Sequence, residues 1–447
     1  MVSGVRERGT PPRRGPATGR DPVIDLVRFF CLALVVVGHC MMVSPVLHPD
    51  GTVSTQNTLA EQGWFEPIIW IFMVMPLFFV TGGATGLESW RRLQAGGGTG
   101  THFVRVRLLR LIRPAAALLA VMFLSLWTAG LLGVHPQVVQ LMAAGAAMPL
   151  WFLAAYLAAQ LNIPLLAACH ARAPWVTLVA LTALVVAVDC LRGALPALAY
   201  ANLVFLWCAV QQLGFLAADG YWARVSRSGL VGIVVSANLL LGFVTALGLY
   251  PGNMLVNLNP PNLCLLLLGV SQAAVLELSR PALPPLYSLR WVKALLYAAG
   301  ARSLTVYLWH LPLLVGMSGL LLLTPLPKPD SGTAAWWWAR PMVLLALVLL
   351  LLPVVAAFGR LEERRTATGT SGARPPAVAA AVVVVFLPVS EAALSGLTLG
   401  VLAAGAVSFA VAVLLLGGTT GRMRRTAGSI FPGGRRRGRP GIASGVK

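Results

Sequence analysis

The chain has 447 residues, of which 57% are hydrophobic and only 11% are charged, whereas about a quarter of the residues are charged in ordinary soluble domains. Its mean hydropathy is +0.79, and its apolar residues form long runs such as 343–352 and 401–416. This composition excludes a soluble enzyme, a disordered protein and a secreted disulfide scaffold. A β-barrel is excluded as well, because its strands would alternate apolar and polar residues. The sequence therefore predicts an all-α, polytopic transmembrane bundle.

The formal net charge is +20, which we interpret as a topology signal and not as a nucleic-acid-binding surface. The six cysteines lie in or beside apolar runs without a Cys-x-x-Cys pair. We therefore expect small core residues at these positions, with no disulfide framework and no metal site.

In chain order, residues 1–20 are predicted to form a disordered basic cytoplasmic tail, and the first apolar run is too long and too charged for a signal peptide. Runs of about 20 apolar residues then predict the membrane spans. They lie near 23–43, 65–87, 108–133, 147–168, 174–194, 198–217, 229–250, 260–279, 302–323 and 339–359, followed by a helical hairpin near 376–393 and 396–417. The expected architecture is a ten-helix core plus this hairpin, about twelve spans, with a basic disordered tail over 418–447.

The positive-inside rule orients these spans. With a cytoplasmic N-terminus, the even-numbered gaps between helices face the cytoplasm, and they hold most of the basic residues. On the other side, the loops 44–64, 134–146 and 251–259 contain no lysine or arginine. The basic residues that do fall on that side are Arg192, Lys328 and Arg340. We predict a multi-pass protein of the plasma membrane with both termini in the cytoplasm.

Three ionisable residues lie in the first helix, where such groups are costly and usually functional. Asp25 and Arg28 are three residues apart and share a helix face, and His39 lies about 16 Å beyond Arg28 on roughly the same face. A neutral histidine in a partly dry pocket accepts a proton from a hydroxyl or thiol. This suits both acyl transfer to an alcohol and proton coupling in a transporter, and the spacing leaves both open.

Four arginines, Arg105, Arg107, Arg110 and Arg113, come directly before Pro114 where the third helix is expected to begin. Arginines three residues apart present their guanidinium groups on one face, which suits binding of phosphates. The alternative is an orientation signal with anionic lipid contacts.

Other polar or aromatic patterns mark three further helices. The second is predicted to end with Pro76-Leu-Phe-Phe-Val-Thr-Gly-Gly, which favours a kinked and closely packed helix. The fourth is predicted to open with Pro149-Leu-Trp-Phe, which also fits an interfacial aromatic belt. In the ninth, Tyr307 and His310 share a face. A second deep histidine predicts a polar cavity, unless each histidine merely bonds a backbone carbonyl.

With these residues in hand, the chain resembles the acyltransferase-3 family of integral membrane O-acyltransferases. Five features appear in the family's order over 21–312. They are Asp25-x-x-Arg28 with His39, Phe78-Phe-Val-Thr-Gly82, the arginine pair Arg107/Arg110 before Pro114, Trp151-Phe152, and Tyr307-x-x-His310-x-Pro312. The second motif is one residue shorter than in the family and has Thr for Ser. The resemblance covers 21–360, and the last two helices lie outside it.

The resemblance implies a bacterial cell-envelope enzyme that transfers an acyl group, as in O-acetylation. A cytoplasmic donor, acyl-CoA with acetyl-CoA expected, would be a co-substrate and not a permanently bound cofactor. The acceptor would be a hydroxyl of a glycan, lipid or secreted metabolite. Arg28, Arg107, Arg110 and Arg113 would bind the donor. His39 would be the base or acyl relay, with Asp25, Tyr307 and His310 in the same catalytic cavity.

Two other functions are compatible with the pattern. A transporter or exporter of a glycan or lipid would release no CoA, and a membrane scaffold would tolerate loss of His39. The partners expected are the donor, the acceptor and membrane lipids, and no nucleic acid.

Overall fold

The computed structural model describes residues 21–47, 53–322, 324–325, 328–362 and 374–417. The predicted tails 1–20 and 418–447 lie outside the described residues. The first half of the fold contains α1 Pro22–Met42, β1 Val43–Leu47, β2 Val53–Asn57, α2 Phe65–Phe72, α3 Met75–Ala95, α4 Gly100–Leu131, α5 Pro136–Leu161, α6 Ile163–Arg172 and α7 Pro174–Leu191.

The second half contains α8 Asn202–Ala218, α9 Tyr221–Arg224, α10 Arg227–Ala246, α11 Leu263–Ser279, α12 Pro284–Ser288, α13 Arg290–Leu322, α14 Ala334–Phe358, α15 Pro375–Ser395 and α16 Leu399–Leu415. Within the described ranges, ten helices or joined helices are long and apolar enough to cross a membrane. The bent pair 150–161 and 163–172 makes an eleventh if it is one span. The predicted all-α polytopic bundle is confirmed.

Side-chain caps fix where several helices begin. Asp21 accepts a hydrogen bond from the Val23 amide at 2.9 Å, and Thr99 accepts one from the His102 amide at 3.2 Å. Such caps satisfy N–H groups that have no partner inside the helix. Thr99 therefore starts α4 at Gly100, eight residues before the predicted start of the third span. The arginine cluster consequently lies inside a helix and not at its beginning.

Two further boundaries differ from the sequence prediction. The second span is broken at Met73–Val74 and continues to Ala95, so the segment Pro76–Gly83 opens α3 and does not end it. The fourth predicted helix begins earlier than expected, because α5 starts at Pro136, and Trp151 and Phe152 therefore lie inside α5 and do not open it. Capping residues and prolines determine where these helices begin and end, whereas hydropathy identifies only the apolar centre of each span.

The predicted C-terminal hairpin is present as α15 and α16. Its turn was expected between residues 393 and 396, and in the structure it contains Gly396, where φ is +78°. Pro388 lies inside α15. A left-handed residue such as glycine closes a tight turn more readily than a proline can.

The two ends of the bundle are each tied by contacts between distant segments. At the end that we call the Asp21 end, Asp21 pairs with Arg280 at 2.9 Å and Arg91 pairs with Asp219 at 2.6 Å. At the opposite end, which we call the strand end, β1 pairs antiparallel with β2 and Trp336 donates to Ser44 at 3.0 Å. Each contact joins residues that the positive-inside pattern assigns to one side.

Candidate active site

A cavity of about 490 Å³ opens in the Asp21 half of the bundle, between α1, α3, α4, α5 and α13. This volume is within the range of small-molecule sites, roughly 300–1,000 Å³. Four arginines line it, namely Arg28, Arg92, Arg107 and Arg110, together with the acidic residues Asp21, Asp25, Glu88 and Glu362 and the aromatic residues Phe29, Phe78, Phe152, Tyr156 and Tyr307. The cavity thus combines charged groups with an aromatic wall.

Arg28 is held in place by groups from α3 and α5. Its guanidinium donates to the Thr85 hydroxyl at 3.4 Å and to the Tyr156 hydroxyl at 3.5 Å, and it lies 5.1 Å from the centre of the Phe78 ring. Both hydrogen bonds are long, and both acceptors are neutral hydroxyl groups. Arg28 thus presents its guanidinium to the cavity between α3 and α5.

Part of the acidic lining is occupied by partners within the protein. Glu362 accepts hydrogen bonds from the Thr305 amide at 3.0 Å and the Leu304 amide at 3.2 Å, and Arg110 approaches it to 3.9 Å. Burial raises the pKa of Glu362, which these amides and Arg110 partly oppose. Asp21 is paired with Arg280. The carboxyl groups of Asp21 and Glu362 are therefore already bound by other groups of the protein.

The two deep histidines meet each other. His39 Nδ1 lies 2.8 Å from His310 Nε2, and the rings stack with centroids 5.1 Å apart. His310 Nδ1 lies 2.6 Å from the backbone carbonyl oxygen of Tyr307, and His310 is fully buried. The two histidines are 271 positions apart in the sequence, so helix periodicity alone could not predict this contact.

This arrangement assigns the protons of the pair. A carbonyl oxygen only accepts, so a neutral His310 carries its proton on Nδ1 and presents a lone pair at Nε2. His39 Nδ1 donates its proton to that lone pair. His39 Nε2 is then left with a lone pair of its own, which is the requirement for a general base.

The histidine pair adjoins the cavity through an aromatic wall. The Tyr307 ring is 5.7 Å from the His310 ring and 4.8 Å from the Phe152 ring, and Phe152 stacks on Tyr156 at 5.9 Å. Tyr307, Phe152 and Tyr156 all line the cavity, whereas neither histidine does. Phe152 is thus part of the buried site wall and does not belong to an interfacial belt.

Most of the residues singled out in the sequence come together here. Asp25, Arg28, Arg107, Arg110 and Tyr307 line the cavity, and His39 and His310 form the adjoining pair. Arg113 is not among the lining residues.

Sequence reasoning missed Tyr156, Thr85, Glu88 and Glu362. The signal that was available for Tyr156 is its position four residues after Phe152, on the same helix face.

Fold and site together define a polytopic helical membrane protein in which an arginine-lined cavity adjoins a buried histidine pair. A family model described as an acyltransferase domain, that of the acyltransferase-3 family, matches residues 21–360. The chain therefore belongs to this family and is a membrane acyltransferase, as the sequence motifs predicted. No curated protein and no solved structure matches the chain.

Proposed function

We propose that the protein is an O-acyltransferase that moves an acyl group, acetyl in the simplest case, from cytoplasmic acyl-CoA to a hydroxyl of a glycan, lipid or small metabolite of the cell envelope. The observation that carries this proposal is the hydrogen-bonded pair His39–His310 next to a cavity lined by Arg28, Arg107 and Arg110. The pair supplies a base, and the arginines supply phosphate binding.

The donor would enter from the Asp21 end, which the positive-inside pattern assigns to the cytoplasm. Arg28, Arg107 and Arg110 would bind the phosphates of CoA, because guanidinium forks match phosphate oxygens. Arg28 and His39 are eleven residues apart on α1, about 16 Å along the helix axis. The long arm between the phosphates and the thioester of acyl-CoA would cross this distance along the aromatic wall.

In the chemical step, His39 Nε2 would take the proton of the acceptor hydroxyl as its oxygen attacks the thioester carbonyl carbon. The new C–O bond forms, the C–S bond breaks, and CoA leaves as a thiolate that takes up the proton from His39. His310 would stabilise the positive charge that develops on His39 by accepting its Nδ1 proton in a hydrogen bond. Tyr307 would hold His310 in the required tautomer through its backbone carbonyl.

The experiment compares wild type with His39→Ala in a deletion strain, with mass spectrometry of envelope glycans, lipids and secreted metabolites. We expect an acyl mass increment that depends on the gene and disappears in the variant, since loss of a general base costs about 10²–10⁴ in rate. CoA release from acetyl-CoA by membranes of the same strains should fall in parallel.

His102→Ala is the matched control, because His102 lies in the first turn of α4, away from the pair. Wild-type activity in His39→Ala at normal abundance would remove His39 from the mechanism. An envelope product that is lost without any change in acylation or CoA release would indicate an exporter instead.

A further inference from the structure

The C-terminal hairpin α15–α16 lies outside the matched residues 21–360, yet it packs directly on the two helices that carry much of the cavity wall. α16 packs along α4, and α15 contacts both α4 and α5. α4 carries Arg107 and Arg110, and α5 carries Phe152 and Tyr156. The hairpin is thus in contact with the site's framework although it contributes no side chain to the lining.

One polar contact ties the hairpin to the arginine cluster. The Nε of Arg105 donates to the carbonyl oxygen of Leu416 at 3.0 Å, and Arg105 is 8% exposed. Leu416 is the C-cap of α16, where the last carbonyls have no partner inside the helix and the helix dipole favours a cation. A buried guanidinium and a bare helix end therefore satisfy each other.

Helix geometry places this contact on the side of α4 away from the cavity. Successive residues turn by about 100°, so Arg105 lies about 160° around α4 from Arg107, whereas Arg110 lies only about 60° from it. Arg107 and Arg110 line the cavity, and Arg105 does not. The members of the cluster thus have different roles.

A second contact continues along the same face. A Cβ on Gly405 of α16 would lie 3.2 Å from Leu119 Cδ1, and Leu119 is fourteen residues after Arg105, close to four full turns. The two contacts are about 21 Å apart along α4. They show an antiparallel helix seated along the back of α4 from its Asp21 end to its middle.

We infer that the hairpin is a buttress that positions α4, with Arg105 as the positioning residue that anchors it, so that Arg107 and Arg110 are held against the cavity. The inference rests on the proposed donor binding. Several like charges on a short stretch of helix repel one another and favour water or lipid headgroups over a buried cavity. This repulsion would move α4 away from the cavity. The hairpin, packed along the opposite face of α4, opposes that movement.

The test compares acetyl-CoA affinity of the full-length protein in nanodiscs for Arg105→Gln, Arg105→Lys and Arg107→Lys. Arg105→Gln should weaken binding about tenfold, because a hydrogen bond to a charged group is lost. Arg105→Lys should recover most of the affinity, since an ammonium still neutralises a helix C-terminus. Arg107→Lys should bind acetyl-CoA weakly although it keeps the positive charge, because an ammonium lacks the guanidinium fork.

Amide hydrogen exchange on the same samples provides a readout that does not depend on the donor. Arg105→Gln should raise exchange in 100–115 and 399–417 together, while Arg107→Lys should leave both unchanged. Gly405→Leu, which drives a side chain into Leu119, should repeat the effect of Arg105→Gln. Val407→Leu is its control, because Val407 is exposed on the same helix.

Equal acetyl-CoA affinity of Arg105→Gln and wild type would overturn the inference. The inference would also be overturned if both Arg105 variants bound acetyl-CoA weakly while their amide hydrogen exchange stayed at the wild-type level. Arg105 would then bind the donor directly. A wild-type protein that does not bind acetyl-CoA would instead contradict the proposed function, and the exchange data would still decide whether the hairpin anchors α4.

Discussion

At the scale of single residues, the site depends on hydrogen-bond direction. The Tyr307 carbonyl fixes the His310 proton, which in turn orients His39 and leaves His39 Nε2 as the accepting atom. The hydrogen bonds run from His39 to His310 and from His310 to a backbone carbonyl. Neither of these acceptors is an ionised acid, which would be costly at the fully buried position of His310.

Arg107→Lys and Arg110→Lys separate donor binding from lipid contact. Lysine keeps the charge that orients the helix but cannot grip phosphate oxygens bidentately. We expect normal insertion and an acetyl-CoA dissociation constant raised about tenfold or more, because each charge-assisted hydrogen bond contributes roughly 1.5–3 kcal/mol. The affinities would be measured by titration of purified protein in nanodiscs.

Arg91→Lys is the control for this pair, because Arg91 is bound to Asp219 at the surface and does not line the cavity. If the lysine variants at 107 and 110 bind the donor as tightly as wild type, the phosphate-binding role is wrong. The arginine cluster would then be an orientation signal.

At the scale of elements, glycines let the helices around the cavity approach closely. A Cβ on Gly83 of α3 would collide with the backbone carbonyl oxygen of Gln211 on α8, and a Cβ on Gly214 would collide with the Val80 carbonyl oxygen. In a membrane, where lipid is as apolar as leucine, such close backbone packing is a main source of helix association. The α3–α8 pair therefore forms a rigid support behind Thr85 and Phe78.

Gly83→Ala should destabilise the protein, because the added methyl group meets backbone that cannot rotate away. Overpacking of this kind costs typically about 1–3 kcal/mol. Gly232→Ala on α10 is the matched control, since no atom lies within 4 Å of its added Cβ and alanine favours helix. Thermal unfolding of both variants in detergent would check this, and equal midpoints would refute the close packing of α3 on α8.

At the scale of the whole molecule, the arginine-lined cavity lies in the Asp21 half of the bundle, and His39 lies in the last turn of α1, which leads into β1. The ionic contacts Asp21–Arg280 and Arg91–Asp219 lie at the Asp21 end, and the paired strands lie at the other. Under the proposed function, the donor would bind from the Asp21 end and the acceptor would approach from the strand end.

The orientation can be tested with single cysteines in a background without the six native ones. Gln56→Cys in the exposed part of β2 should react with an impermeant maleimide in intact cells, and Arg360→Cys should react only after permeabilisation, because the positive-inside pattern puts them on opposite sides. A C-terminal tag should also require permeabilisation. The reverse labelling pattern would invert the predicted topology.

Hydropathy and charge were enough to predict the class of fold, and the short motifs pointed to several residues that line the cavity. About twelve spans were expected, whereas ten helices in the described ranges, or eleven with the bent pair, are long and apolar enough to cross a membrane. Hydropathy is a local property, so each span appeared in its own stretch of chain. The motifs Asp25-x-x-Arg28, Tyr307-x-x-His310 and Arg107/Arg110 repeat short helical spacings that periodicity reads directly.

The packing of the helices in three dimensions determines which partner each of these residues has. It pairs His39 with His310, places Tyr156 and Phe152 in the cavity wall, and brings the end of α16 to Arg105, which lies more than 300 residues earlier in the chain. Helix starts at Gly100 and Pro136 depended on caps and turns that hydropathy does not detect. Contacts between distant helices depend on which faces pack together, and in an apolar chain nearly every face looks alike in the sequence.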